Sequence, residues 1–168
     1  MQISKEIDQF SKRLLIVVAG SRSAEILKVY EGEIESIESF KMELPIYSEK
    51  EKSFARSSKS ETYGAGSAVE ENKQDFLAKF TKELAVRVEM AFQKSSPEFI
   101  YLFSPEHMKK MIMEKFSSEV KKKLTLTIDG NFVENHPFDL LKMVMEKLDD
   151  KRPVMASEEA IKLLKKKK

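Results

Sequence analysis

The sequence predicts an α/β protein: a three-layer α/β/α domain with a five-stranded mixed sheet. Residues 14–40 indicate this first, because an apolar run at 14–19, a turn and two further strand-like stretches describe an antiparallel meander. After residue 68, helical and strand-like patterns alternate, and helical crossovers require parallel pairing. The simplest sheet then has strand order 3-2-1-4-5, with strand 2 antiparallel to the others.

The meander contains two local signals. Glu31-Gly32 separates the second and third strands and is a two-residue hairpin candidate. In the third strand, Ile34, Ile37 and Phe40 depart from strict period two, which predicts either a β-bulge or one solvated face.

The later elements are read from apolar spacing. Phe76, Phe80 and Leu84 begin a four-residue repeat that predicts a helix over 69–94. Residues 99–103 predict a buried strand, and Ser104-Pro105-Glu106 predicts the start of a helix with Ser104 as its cap. A last strand is expected at 124–128, and Pro137 opens a further helix.

Composition limits the function classes. The chain has 168 residues, no cysteine, 35% charged residues and a net charge of +2. The length fits a single domain, and the lack of cysteine excludes disulfides and thiolate chemistry. No apolar run approaches the roughly 20 residues of a membrane span, and residues 1–15 lack a signal-peptide core. We therefore expect a cytoplasmic protein with no membrane partner.

The sequence also predicts the structure of three segments outside these elements. Residues 1–13 predict a short amphipathic N-terminal helix. Residues 45–68 are polar and serine-rich, and a stretch of this length predicts a mobile loop. Residues 154–168 predict a terminal helix that runs into a basic tail.

The string VVAGSRSAEILKVYEGEI at 17–34 resembles the opening of bacterial and archaeal relatives of the release-factor middle domain, often called host-attachment proteins. Three later stretches are similar to the family in the same order, at 80–85, 99–105 and 136–140. The resemblance covers about residues 14–148 and rests on the order and spacing of the motifs. It implies the RNase H-like topology also found in several translation-machinery domains.

The loop before the long helix bears on catalysis. Release factors present Gly-Gly-Gln-Ser-Ala there, whereas this chain has Gly64, Ala65, Gly66, Ser67 and then Ala68. Gly66 stands where the resemblance places the glutamine, and glycine has no side chain to position a water at an ester. We expect no peptide release by that mechanism. On local grounds the glycines supply flexibility and Ser67 caps the helix.

Other catalytic groups are weakly indicated. The first strand offers no carboxylate for an RNase H-type metal site, and no metal or cofactor is expected. His107 and His136 lack metal-ligand spacing and are expected at the surface or at helix caps. Asp129 follows a strand but lies in an ordinary Asp-Gly-Asn turn.

The remaining candidates are basic residues in three groups. The first group comprises Lys121, Lys122 and Lys123; the second Lys165, Lys166, Lys167 and Lys168; the third Arg56 and Lys59. They predict a phosphate-neutralising surface without an aromatic stacking platform.

Two hypotheses follow. The first is a non-catalytic binding module associated with RNA, the ribosome or the translation machinery, or with a protein partner. The alternative is a hydrolase acting on RNA or an ester, with residues of the 45–68 loop completing its site, or a host-attachment-type protein of unknown biochemistry. The host-attachment name adds no biochemistry, and the sequence leaves the partner and the oligomeric state open.

Overall fold

The computed structural model describes residues 12–43 and 65–150, with side chains placed from residue 73 to residue 148 in the second range. The predicted N-terminal helix, residues 45–64 of the predicted loop and the predicted C-terminal helix lie outside the described residues. By its internal contacts the chain divides into two units, Met1–Glu134 and Asn135–Lys168.

A five-stranded sheet forms the first unit. Its strands are β1 (Leu14–Ala19), β2 (Ser23–Tyr30), β3 (Glu33–Lys41), β4 (Phe99–Ser104) and β5 (Leu124–Asp129). The strand order is β3-β2-β1-β4-β5. Strand β2 pairs antiparallel with β1 and β3, whereas β4 pairs parallel with β1 and β5. The predicted fold class, strand order and strand directions are therefore confirmed.

The two local signals in the meander are also confirmed. Glu31 and Gly32 have φ values of 48° and 77°, the left-handed conformation that a two-residue hairpin turn requires at both central positions. The β2–β3 register shifts between Ile26, which pairs with Glu38, and Leu27, which pairs with Ser36. Ile37 is thus the extra residue of a β-bulge.

Three helices belong to the same unit: α1 (Ala65–Ser95), α2 (Glu106–Lys115) and α3 (Ser118–Lys123). Their apolar side chains share one core with alternate residues of the strands, including Leu15 and Val17 of β1 and Leu102 of β4. The residues of the opposite sheet face, such as Ile16 and Phe103, are buried as well. Burial on both faces explains why β1 is apolar throughout rather than alternating.

The helices differ from the predictions in three respects. Helix α1 begins at Ala65 rather than Val69, so the backbone of Gly66 and Ser67 is helical and Ser67 does not occupy the cap position. Ser104 belongs to β4, and Pro105 is the N-cap residue of α2. Helix α3 was not predicted.

The second unit contains helix α4 (Pro137–Asp150). Its buried side chains are Leu140, Leu141 and Val144, spaced as expected for one helical face. In the described ranges, no helix is long and apolar enough to cross a membrane.

Candidate nucleic-acid interface

Helix α3 presents the only predicted basic group whose side chains are described. It begins after Ser117, whose Oγ accepts a hydrogen bond from the Val120 amide at 3.3 Å. Val120 is buried, so one side of this short helix is fixed to the core. The helix ends at Lys123, and the next residue starts β5.

The three lysines at the end of α3 are exposed. Lys121 Nζ donates to the Glu114 carbonyl oxygen at 3.3 Å, which brings its ammonium group close to the end of α2. All three lie in the last turn, where cations also stabilise the negative end of the helix dipole. The three lysines thus stabilise the end of α3, and their charges remain accessible to an anion.

The charge around α3 extends along the chain into α2. Residues 106–123 contain six lysines and three glutamates, a net charge of +3, while the whole chain carries only +2. Lys110 and Lys115 are exposed like the α3 lysines. Lys109 differs, because its Nζ lies 2.7 Å from Asp129 Oδ1 at the end of β5. Positive charge is therefore concentrated in the segment from α2 to α3. The sequence analysis had identified only its last three lysines.

The other predicted basic residues belong to segments that the structure does not describe. Arg56, Lys59 and Lys165–Lys168 lie outside the described residues, as does Gly64. Ala65, Gly66 and Ser67 are described only as backbone in the first turn of α1.

The two histidines lie where the sequence analysis expected them. His107 is exposed in the first turn of α2. His136 is exposed just before α4, where its Nδ1 accepts a hydrogen bond from the Phe138 amide at 3.3 Å. The ring of His136 also stacks on that of Phe138, with centroids 5.3 Å apart. His136 is therefore a capping residue of α4.

Asp129 forms an ion pair with the first half of α2. Lys109 Nζ donates to Asp129 Oδ2 at 2.9 Å in addition to its contact with Oδ1. Within residues 12–43 and 65–150, no three His, Cys, Asp or Glu residues are grouped so that they could hold a metal ion.

These elements define an α/β domain on a five-stranded mixed sheet, with a basic turn beside the last strand. The family model described as "Protein required for attachment to host cells" matches residues 15–144. The chain belongs to this host-attachment family. That membership confirms the family part of the resemblance read from the sequence.

Solved structures show weaker likenesses. An archaeal translation termination factor, aRF1, is 13% identical at a TM-score of 0.43, covering 82% of this chain and 40% of its own. S. cerevisiae Dom34, a translation termination-like factor involved in RNA quality control pathways, is 13% identical at a TM-score of 0.40, covering 84% and 40%. A protein described only as archaeal is 9% identical at a TM-score of 0.42, covering 90% and 44%.

The chain thus spans less than half the length of these three proteins. TM-scores below 0.5 are too low to support an assignment of function from them. No curated protein sequence matches the chain significantly.

Proposed function

We propose that this chain is a non-catalytic binding module that binds RNA through the basic turn formed by Lys121, Lys122 and Lys123. The observation that carries the proposal is the exposure of three consecutive lysines on a helix fixed to the core by Val120. A rigid helical base presents these charges at lower entropic cost than a flexible tail would. The motif resemblance to release-factor relatives favours RNA of the translation machinery as the anion.

The module is proposed to be non-catalytic because residue 66 is a glycine at the position where the motif resemblance places the glutamine of the release factors. The hydrolase alternative requires side chains from the 45–68 loop, of which residues 45–64 lie outside the described residues. No contact among the described residues favours that alternative.

The binding mode follows from the residue types. Lysine is a point charge on a flexible stem, and phosphate contacts carry no sequence information. Binding through this turn is therefore expected to be electrostatic, weakened by salt and largely independent of RNA sequence.

The test is a titration of fluorescently labelled single-stranded RNA with three forms of the full chain. The first is the unaltered protein, and the second carries Lys121→Ala, Lys122→Ala and Lys123→Ala. The third is a charge-matched control that replaces three exposed lysines of α1, Lys73→Ala, Lys79→Ala and Lys82→Ala.

We expect the α3 variant to lose most of its affinity and the α1 variant to keep it. Equal losses in both variants would show that only net charge matters. Absence of binding by the unaltered protein at low salt would remove RNA as the ligand and favour a protein partner.

A further inference from the structure

Strands β1, β4 and β5 are parallel neighbours, so their amino-terminal ends lie side by side at one edge of the sheet. Leu14 of β1 is opposite Phe99 of β4, and Ile100 of β4 is opposite Leu124 of β5. Adjacent strands are about 4.8 Å apart, which places the starts of β1 and β5 roughly 10 Å from each other. The residues just before these strands therefore meet at this edge, although β1 and β5 are far apart in the chain.

Basic residues precede two of these three strands. Lys12 and Arg13 come directly before β1, and the basic turn Lys121–Lys123 comes directly before β5. All five side chains are exposed. Within residues 12–43 and 65–150, neither Lys12 nor Arg13 forms an ion pair. Strand pairing thus brings two further uncompensated cations to the edge at which α3 ends.

An aromatic ring holds the Lys12 ammonium group at this edge. Lys12 Nζ lies 5.1 Å from the centroid of the Phe99 ring, a cation–π contact. Phe99 is the first residue of β4, the strand between β1 and β5. The contact therefore brings the Lys12 charge one strand closer to α3, which itself contacts both β4 and β5.

Tyr30 adds an exposed aromatic ring beside Arg13. It is the last residue of β2 and is 38% exposed. Because Leu14 pairs with Val29 in antiparallel register, the next residues along, Arg13 and Tyr30, are neighbours. The Tyr30 hydroxyl donates a hydrogen bond to Glu31, which raises the Tyr30 pKa, while the charge of Arg13 opposes this shift. The sequence predicted no aromatic stacking platform, but strand pairing places this ring next to a cation.

Carboxylates limit the positive surface. Glu31 and Glu33 lie at the hairpin between β2 and β3, on the side of Tyr30 away from β4. Glu98 directly precedes β4, between the two groups of cations, and its amide donates to the Arg13 carbonyl oxygen at 2.8 Å. The backbone of a nucleic acid is therefore favoured from Arg13 to α3, opposed locally by Glu98, and disfavoured at the hairpin.

We propose that Lys12, Arg13 and the basic turn of α3 bind one single strand of RNA across the amino-terminal edge of β1, β4 and β5, with a base stacked on Tyr30. This proposal rests on the proposed function and extends its surface from α3 to β1 and β2. The cations neutralise phosphates of the strand, and an aromatic face stacks a base of any identity. Because a stacked base must be unpaired, single-stranded RNA should bind more tightly than duplex RNA.

The experiment is a titration of fluorescently labelled single-stranded RNA, at several salt concentrations, with the full chain carrying Lys12→Ala and Arg13→Ala. We expect weaker binding and a log–log salt slope shallower by about 1.4, since two phosphate contacts are lost and each contributes roughly 0.7. The matched control carries Arg22→Ala and Lys41→Ala, which remove two exposed cations at the opposite edge of the same sheet. Its slope should equal that of the unaltered protein.

Two further positions separate stacking from charge. Tyr30→Leu keeps an apolar side chain but removes the ring, so it should raise the Kd about fivefold or more without changing the salt slope. Tyr30→Phe keeps the ring and should keep the Kd. Glu98→Gln removes a repulsive charge between the two groups of cations and should tighten binding. A general effect of mutation on the fold would not produce these opposite signs.

The outcomes distinguish this proposal from the proposed function. If the variant at Lys12 and Arg13 keeps the slope and affinity of its control, the extended surface is overturned, whereas a loss of affinity on replacing Lys121–Lys123 would still support binding at α3. Equal Kd values for Tyr30→Leu and the unaltered protein, or for single-stranded and duplex RNA, would overturn the stacked base. Absence of RNA binding by the unaltered protein would overturn both proposals.

Discussion

Arg87 on helix α1 forms an ion pair with Glu38 on strand β3, joining the long helix to the edge of the sheet. The Arg87 Nε atom also donates to Glu83 Oε1 at 2.8 Å. Its guanidinium lies 4.5 Å from the centroid of the Phe40 ring. Burial alone would lower the pKa of Arg87, but hydrogen bonds to Glu83 and Glu38 raise it above its usual range. Arg87 therefore stays charged and joins two carboxylates and an aromatic ring.

Replacing Arg87 with alanine should lower the free energy of unfolding by about 1 kcal/mol, because partly exposed ion pairs and a cation–π contact each contribute modestly. Urea denaturation measures this change. Lys82→Ala, at an exposed position of the same helix, should stay within about 0.5 kcal/mol of the unaltered protein. If the two variants were equally stable, the Arg87 contacts would not contribute to stability.

Val17 tests the central strand. It is fully buried in β1, between β2 and β4. Val17→Asp should prevent folding, because an unpaired buried charge costs several kcal/mol. Val17→Ala, which leaves only a small cavity, should fold with a loss of roughly 1–3 kcal/mol. Circular dichroism during thermal unfolding distinguishes these outcomes, and native-like stability of Val17→Asp would remove β1 from the core.

Ser104→Ala should not destabilise the free protein, because the hydroxyl that it removes has no partner. A buried hydroxyl without a partner costs about 1–3 kcal/mol, but its removal also loses the packing contacts of the oxygen atom, so the free energy of unfolding should stay the same or rise. The comparison with Ser117→Ala is informative, since Ser117 caps α3 and its loss should cost about 1 kcal/mol. A large loss of stability in Ser104→Ala would reveal a hydrogen bond in solution.

Glu89 on α1 is a carboxylate whose contacts depend on pH. Hydrogen bonds from Gln93 and from Ser117 hold the pKa of the Glu89 carboxyl below its usual value of 4.5. A lowered folded-state pKa means that the Glu89 contribution to stability is complete above the unfolded pKa and is lost as pH falls through the folded value. An NMR titration of the Glu89 carboxyl carbon should show this low pKa, and Gln93→Ala should raise it. Titration at the ordinary glutamate value would contradict these contacts.

Much of the sheet could be predicted because its signals are local or depend on simple pairing rules. The apolar run Leu14–Ala19, the turn at Glu31-Gly32 and the irregular spacing around Ile37 are each visible in the sequence. Parallel strands that require helical crossovers then restrict the strand order. The local Ser-Pro-Glu pattern predicted Ser104 as a helix cap, and this prediction was wrong because of strand pairing. It pairs with Asp129, and its carbonyl accepts a hydrogen bond from the Gly130 amide, so it remains in β4.

The start of α1 was predicted wrongly and α3 was not predicted, for different reasons. Gly66 and Ser67 have poor helix propensity, yet they form the start of a 31-residue helix whose later turns are packed in the core. Helix α3 has only six residues and a single buried side chain, Val120, too few for a periodic pattern. The sequence indicated that Lys121–Lys123 is basic, but the fixed helix that presents these residues was visible only in the structure.

The C-terminal lysines, which lie outside the described residues, are expected to add to RNA binding as a separate group. In a plot of the logarithm of the binding constant against the logarithm of salt concentration, deleting Lys165–Lys168 should make the slope shallower by about 3. Each lost phosphate contact with single-stranded RNA accounts for roughly 0.7 of this change. Stability should change little, because a terminal run of charges packs on few groups. RNA titrations of the unaltered and the truncated protein at several salt concentrations measure this change. An unchanged slope would show that the C-terminal lysines do not contact RNA.

The most direct test of RNA binding at α3 is the salt slope of the variant with Lys121, Lys122 and Lys123 replaced by alanine. We predict that its log–log slope for single-stranded RNA is shallower than that of the unaltered protein by about 2, since three phosphate contacts are removed. The control with Lys73, Lys79 and Lys82 replaced should keep the original slope. Equal slopes for the α3 variant and the unaltered protein would contradict the assignment of the RNA-binding surface to α3.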